Sequence, residues 1–469
     1  MKSTSHAFKQ QATIALHDER LQRALGKAKG GFINKRQAAI DALPVFGDLR
    51  KRAKEIKNHT LEHLDFYLER FEQQVEKNGG QVHWAEKPED ARQAIIDICR
   101  SVDAKKVTKG KSMVSEEIAL NQALEEVDVE VVETDLGEYI IQLAKEPPSH
   151  IIAPAVHKTR EEISDLFHDK HGTPRLEEVP ELVNEARQML REQFISADVG
   201  ITGANFLIAE TGSTIIVTNE GNGDLTASLP KVHIVITSIE KIVPTLEDVT
   251  TLIRLLGRSA TGQEITSYTS FFTGKKRDTD IDGPEQFHVV LLDNGRSEML
   301  GNEFREMLRC IRCGACMNHC PVYGSVGGHA YGWVYPGPMG SVLTPLMTSL
   351  EESSHLPNAS TFCGRCAEVC PMSIPLPDLL RQHRIREYDQ GLQAPRAKWA
   401  LKLWAFIAKR PRLYHFIVSK KIRVLSWLGK KSGRFSYMPF ATGWTKSRDL
   451  PAPQGETFLS AWKKQQGDV

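Results

Sequence analysis

The chain has 469 residues, in which 60 Lys and Arg offset 59 Asp and Glu for a net charge of +1. That length gives room for two or three domains with cores of their own, and the balanced charge leaves no global field of the kind that draws nucleic acid. No apolar stretch reaches the ~20 residues a membrane-spanning helix needs, and the opening M-K-S-T-S-H-A-F-K-Q-Q lacks the apolar core of a secretion signal. The expectation is a cytoplasmic protein, at most peripheral on a membrane.

Residues 1–76 read as a charged, helical N-terminal region. Over 49–76, Ile56, Leu61, Leu64, Leu68, Phe71 and Val75 recur at helical spacing, and N-G-G at 78–80 ends the helix. From residue 77 the pattern changes. Q-V-H-W-A at 81–85 predicts a strand, and P-E-D-A-R-Q-A-I-I-D-I-C a helix with Pro88 in its first turn. K-V-T-K at 106–109 and D-V-E-V-V-E-T at 128–134 predict strands on either side of a helix capped by Ser115. Such alternation predicts βαβ units and a largely parallel sheet over 77–298. Cys99, on the apolar face of its helix, reads as a small core residue.

A-N-F-L-I-A-E and S-T-I-I-V-T-N, joined at Thr211-Gly212, predict a hairpin, and H-I-V-I-T-S at 233–238 a buried strand. Gly200, Gly203, Gly221 and Gly223 flank these strands, with Glu210, Asn219, Glu220, Asn222 and Asp224 at their ends. Two readings stand: the lining of a small-ligand pocket, or ordinary turn residues. No G-x-G-x-x-G opens a helix after a strand and no Walker sequence occurs, so nothing makes a case for a flavin or nicotinamide.

Residues 299–390 hold seven of the eight cysteines. C-I-R-C-G-A-C-M-N-H-C-P places Cys310, Cys313, Cys316 and Cys320 at the bacterial-ferredoxin spacing before Pro321, and C-G-R-C-A-E-V-C-P repeats its last three positions as Cys363, Cys366 and Cys370 before Pro371. Two-residue gaps let one turning loop deliver three thiolates, and the proline halts the loop. Because the last cysteine of each run crosses to the other cluster, Cys310, Cys313, Cys316 and Cys370 form one ligand set and Cys320, Cys363 and Cys366 the other. Two [4Fe-4S] clusters are expected. The second lacks a fourth thiolate, with Ser360 where a cysteine would stand: an oxygen ligand, a ligand from elsewhere, a [3Fe-4S] centre and a mere loop residue are all open. A zinc site from Cys310, Cys313, Cys363 and Cys366 is the rival reading, but it leaves three cysteines and both Cys-Pro steps without a role. A disulfide framework has no support without an export signal.

Between the runs, 322–341 is rich in Gly and aromatics, and reads as a cover for a cluster, a docking face or a surface loop. I-P-L-P-D-L-L-R-Q-H-R-I-R-E-Y then predicts a buttressing helix. The extension 391–469 differs in composition: residues 390–448 have no Asp or Glu but four of the seven tryptophans. Its interleaved basic and aromatic residues suit an acidic partner, packing within the chain, or an anionic membrane surface. Nucleic-acid binding has no supporting motif.

G-I-T-G-A-N-F-L-I-A-E-T-G-S-T-I-I-V-T-N-E-G-N followed by the two cysteine runs closely resembles the lactate utilisation protein B family, iron–sulfur subunits encoded with two companion proteins. The resemblance covers nearly the whole chain. It implies a lactate-utilisation (LUD) α/β domain similar in fold to the sugar-isomerase and CoA-transferase proteins, a helical two-cluster ferredoxin-type module and a helical C-terminal extension. It further implies a role in oxidising L-lactate to pyruvate with companion A- and C-type subunits, the ligand sets given above, and the absence of an eighth ligand cysteine as typical of the family. The expected function is thus electron transfer, with the quinone pool as an acceptor by analogy. An α/β domain that binds a small carboxylate would need an Arg, a Lys or a helix N-terminus, and Lys231, Arg254 and Arg258 are the candidates. An acyl- or CoA-transferase-like enzyme with Glu210 or Glu220 as nucleophile and structural or sensory clusters is the alternative, and a cluster-bearing sensor a third.

Overall fold

The computed structural model describes residues 3–439, 442–445 and 448–467. Its strands are β1 (Gln81–Ala85), β2 (Lys106–Gly110), β3 (Glu130–Glu133), β4 (Val199–Thr202), β5 (Phe206–Ile208), β6 (Ser213–Thr218), β7 (Val232–Ser238), β8 (Ile242–Val243), β9 (Tyr268–Phe272) and β10 (Gln286–Leu292). Six of them form a wholly parallel sheet in the order β1-β10-β7-β4-β2-β3. The α/β expectation is borne out. All seven residues of β7 are buried, as befits a central parallel strand covered on both faces. On one face Ile95, Ile96 and Cys99 of helix Pro88–Ser101 pack with Val107, Ile201, Ile234 and Val290. On the other, Leu68, Phe71 and Val75 of helix Leu64–Lys77 pack with Val235, Val289 and Leu291.

The smaller sheet runs β8-β5-β6-β9. Its hairpin pairs Phe206 with Ile215 and Ile208 with Ser213, turning through Gly212 at φ +69°. Gly200 allows a close approach: a Cβ there would lie 1.8 Å from the Thr226 carbonyl oxygen, so helix Asn222–Ser228 can lie against β4 only because the position is glycine.

Two local expectations are corrected. The single helix expected over 49–76 is two, Phe46–Glu62 and Leu64–Lys77, broken at His63 (φ −128°, ψ 39°), although every apolar position named for it is buried. The helix expected from Ser115 is also two, Met113–Glu117 and Leu120–Glu125, separated by Ala119 in the left-handed region. Ser112, not Ser115, caps the first by accepting from the Ser115 backbone N–H.

Chain contacts divide the molecule into two compact units, one ending at Glu387 and the other beginning at Tyr388. In the first unit one apolar core runs from Phe8 and Phe46 through Phe206 and Leu252 to Leu343 and Leu380, and it includes Cys313, Cys366 and Cys370. The second unit contains helices Pro395–Ala408 and Pro411–Gly429, a short pairing of Arg434–Phe435 with Leu450–Pro451, and helix Phe458–Gly467. Among the described residues, no helix is long and apolar enough to cross a membrane.

Candidate functional site

The two cysteine runs have one backbone design repeated. Arg312 and Phe362, each just before a cysteine, have φ of 57° and 53°. Gly314 and Gly364, each just after it, have φ of 72° and 81°. Glycine makes the second left-handed step cheap, and the first, at a non-glycine residue, is strain of the kind found at ligand sites. A one-turn helix follows in each run, Ala315–Asn318 and Arg365–Glu368, and carries the third cysteine position, Cys316 or Cys366.

Cys310, Cys313, Cys316 and Cys370 line one cavity, walled by Ile151, Met307, Met339, Met372 and Leu376. Cys320, Cys363 and Cys366 line a second, walled by Tyr331, Leu356, Phe362 and Leu380, and Ser360 is on its lining too. The four cysteines of the zinc reading are split between the two cavities. None of the eight cysteines is in a disulfide. A soft, all-sulfur donor set converging from separate loops fits iron–sulfur ligation.

Burial is the main force on five of these thiols. It pushes Cys313 up to about 12, helped by Cys370 and Cys310, and Cys366 up to about 12, helped by Cys320 and Cys363. Cys316, Cys320 and Cys370 are raised for the same first reason, and Cys316 also feels Cys310, Cys313, Cys370 and Cys366. Thiols so disposed stay protonated until a metal takes the proton's place. Cys99 is fully buried among β-sheet side chains, and burial pushes it up to about 12 as well, in keeping with a core role.

Cations from the N-terminal helices and from the first cysteine run itself surround the first cavity. Arg36 donates to the Val369 carbonyl at 2.8 Å and Arg50 to the Cys370 carbonyl at 2.7 Å. The Cys370 Sγ accepts from the Ile374 N–H at 3.5 Å. Arg312 reaches Glu240 at 3.2 Å, with its guanidinium carbon 4.8 Å from the Tyr335 ring centre. Burial works against the Arg312 charge, but Cys310, Tyr335 and Glu240 outweigh it and strengthen its hold on the proton. Lys57, wholly buried, donates to the carbonyls of Glu240 and Ile242, and burial brings it down to about 8 against the pull of Glu240. Arg36, Arg50 and Lys57 were not named from the sequence, because each lies on an N-terminal helix whose place beside the cysteines is set by the fold; Arg312 stands within the first cysteine run itself.

The cysteine module is seated on the α/β part through specific polar contacts. His150 accepts from the Ile152 and Ala153 N–H groups at Nδ1, so its Nε2–H donates to Asn318 Oδ1 at 2.9 Å. Burial brings that imidazole down to about 4. Tyr335 donates to Glu117 at 2.7 Å, and Glu117 is paired with Arg296 at 2.8 Å. From residue 330 on, the linker 322–341 is no surface loop: every residue from Ala330 to Pro345 is buried, and 337–347 is helical. The helix predicted after Cys370 is present as Leu376–Asp389, with Leu376, Leu379, Leu380 and His383 buried.

The polar residues at the hairpin ends do not converge. Glu210 accepts from the Leu246 N–H at 3.1 Å, at the start of helix Leu246–Ala260. Glu220 pairs with Lys111 at 3.2 Å, Asn219 with Gln263 at 3.0 Å, Asn222 donates to the Thr134 carbonyl at 3.0 Å, and Asp224 accepts from Ser270. These are the bonds of turn and capping residues. Of the three cations considered for a carboxylate, Lys231 and Arg254 are exposed, and Arg258 is committed to the Arg254 and Glu264 carbonyls.

Comparison with known proteins agrees with this anatomy. Residues 68–292 match the LUD domain family, 306–374 a 4Fe-4S dicluster domain family, and 378–467 the family described as lactate utilisation protein B, C-terminal. A "Lactate utilization protein B" of Shouchella clausii (strain KSM-K16) is 46% identical over 468 residues, covering 99% of this chain and 98% of that one. One of the same description from Bacillus thuringiensis (strain Al Hakam) is 43% identical over 483 residues, covering 100% and 99%. A crystal structure of a DUF162 family protein from Deinococcus radiodurans aligns with 49% of this chain and 98% of its own at 15% identity, with a TM-score of 0.28. With this degree of identity over its whole length, and with the cysteine module in place, the chain belongs to the lactate utilisation protein B family.

Proposed function

We propose that this chain is the iron–sulfur electron-transfer subunit of a multi-protein system that oxidises L-lactate to pyruvate. Cys310, Cys313, Cys316 and Cys370 would hold one [4Fe-4S] cluster, and Cys320, Cys363 and Cys366 the other, a [4Fe-4S] or [3Fe-4S] centre. The observation that carries the reading is the gathering of four thiols on one cavity and three on a second, in a chain of this family. Bound clusters would supply one-electron oxidation and reduction. The protein's own residues contribute thiolates, an apolar lining that keeps water from the sulfurs, and the cations Arg36, Arg50 and Arg312, which favour added negative charge.

The boundaries proposed are 1–76 for the N-terminal helices, 77–298 for the LUD-type domain, 299–390 for the cluster module and 391–469 for the basic extension. Companion A- and C-type subunits are the proposed partners, and the inner face of the membrane, with its quinone pool, the proposed setting. Anaerobic purification with iron and sulfide counting tests the cofactor: about eight irons per chain fit two cubanes, and about seven a cubane with a three-iron centre. Electron paramagnetic resonance should show the clusters reduced when L-lactate is added with the companion subunits. A colourless anoxic preparation without inorganic sulfide overturns the reading. Glu210→Gln and Glu220→Gln are expected to leave lactate-dependent cluster reduction unchanged, and a large loss in either would favour transferase-like chemistry instead.

A further inference from the structure

Away from the cysteines, Glu146, His157 and His329 each bring a ligand atom to within 4.8 Å of the others. They share a cavity of about 230 Å³ with Arg20, Ser149 and Lys158. Glu146 and His157 belong to the loop that follows helix Leu136–Ala144, and His329 to the linker between the two cysteine runs. The two rings stand edge to face, with centroids 4.4 Å apart.

Hydrogen bonding leaves Nδ1 of His329 available, whereas His157 ligates by giving up its Nε2–H bond to Glu146. His329 Nε2 is 2.8 Å from the Pro147 carbonyl, which can only accept, so the proton is on Nε2 and Nδ1 is free to ligate. His157 has Nε2 2.7 Å from Glu146 Oε2 and Nδ1 2.6 Å from Ser149 Oγ. Ser149 Oγ is also 3.0 Å from the Pro154 carbonyl. When a cation takes the Nε2 lone pair, Nδ1–H donates to Ser149 Oγ and the Ser149 hydroxyl turns to Pro154. Both rings thus have the outer hydrogen-bond partner that metal-ligating histidines use to fix tautomer and orientation. Lys158 Nζ, 2.5 Å from Glu146 Oε1, holds the carboxylate ionised and leaves Oε2 for the ion.

We propose that Glu146, His157 and His329 bind one zinc-class divalent cation that clamps the inter-run linker to the 146–157 loop. Two imidazoles and a carboxylate suit such an ion, whereas calcium and magnesium favour all-oxygen sets. Ligand atoms about 3.3 Å apart, as tetrahedral zinc with Zn–N of about 2.0–2.1 Å demands, are within reach of side-chain rotation. His329 is exposed, so solvent completes the coordination. Val322 and Tyr331 of the same linker line the cavity of Cys320, Cys363 and Cys366, so the clamp would steady one wall of that cavity.

The test is calorimetric titration of Zn²⁺ into the anaerobically purified, cluster-loaded full chain after passage over a chelating resin. One Zn²⁺ per chain is expected. His329→Asn and His157→Asn should each weaken binding roughly tenfold or more, with iron and sulfide contents unchanged. The His329 variant alters an exposed ring, so it tests the site even if the His157 variant folds poorly. Zinc-edge X-ray absorption should show nitrogen and oxygen at about 2.0–2.1 Å and no sulfur at about 2.3 Å. Absence of saturable uptake, uptake undiminished in His329→Asn, or sulfur around the zinc would overturn the proposal.

Discussion

Ser360 stands fifty positions after Cys310, as Cys363, Cys366 and Cys370 stand fifty after Cys313, Cys316 and Cys320. Because the left-handed residues repeat at the same offset, the two loops are structural copies and Ser360 occupies the position equivalent to Cys310. It lines the second cavity, and its Oγ accepts from the Phe362 N–H at 3.2 Å. Ser360→Cys is therefore expected to add a thiolate to that site. A thiolate's negative charge disfavours reduction, so the second cluster's potential should fall, on the order of 100 mV, while the first stays put. Redox titration followed by electron paramagnetic resonance measures both. Charge acts in the opposite sense at Arg36, whose guanidinium is buried beside Cys313 and Cys370. Arg36→Gln can still meet the Val369 carbonyl but removes the cation, and the first cluster's potential is expected to fall on the order of tens of millivolts at unchanged iron content. The cysteine spacing was legible in the chain because ligands delivered by one loop must be close in sequence. Arg36, Arg50 and Lys57 were not, since nothing in a helical, charged N-terminal segment marks which of its many cations will be buried against a module some 300 residues away.

Periodicity was a sound guide to elements and a poor one to their breaks. The apolar positions from Ile56 to Val75 are buried as their spacing requires, yet the turn at His63 leaves the period almost unchanged and so left no trace in it. The linker shows the opposite failure: glycines and aromatics suggested a loop, but here the glycines permit close packing. A Cβ at Gly340 would lie 1.6 Å from the Tyr335 carbonyl oxygen, and one at Gly328 1.8 Å from that of Ser149. Gly340→Ala should cost about 3 kcal/mol or more, because backbone must move in a packed core, and a sharp loss of iron-loaded soluble chain would register it. The central strand carries its own constraint. His233 on β7 is fully buried, 2.8 Å from Thr202 Oγ1 and beside the Phe272 and Phe287 rings, and burial brings it down to about 3. Its folded value lies below its unfolded one, so its contribution is whole above about pH 6.5 and is lost as pH falls from there towards 3. Between pH 7.5 and 5.5 the loss is on the order of 1 kcal/mol for this one residue. Urea unfolding of wild type and His233→Gln at both pH values should show the variant losing less on acidification.

At the scale of the whole molecule, the first unit encloses both cysteine cavities in a core shared with the sheet domain, while the second is built differently. Its helices Pro395–Ala408 and Pro411–Gly429 bury almost no side chain. Trp399, Trp404, Phe416 and Trp427 are 62–75% exposed, among Lys and Arg with no acid between 390 and 448. Apolar surface of this extent in one stretch of chain is costly in water and suits a surface that another body covers. A basic, aromatic stretch without carboxylates suits an anionic cover. If it is a bilayer, the full chain should float with vesicles containing anionic lipid and not with purely zwitterionic ones, and each basic residue near the surface would add about 1 kcal/mol, screened by salt. Replacing Trp399, Trp404 and Trp427 together by Ser should weaken flotation, because aromatic burial in the headgroup region anchors what charge only attracts. Raising the salt to about 0.5 M, where the Debye length shrinks to a few ångströms, should release the remainder. A chain that fails to float under any of these conditions, yet is retained by its companion subunits only while those three tryptophans are present, would assign the same surface to a subunit interface instead.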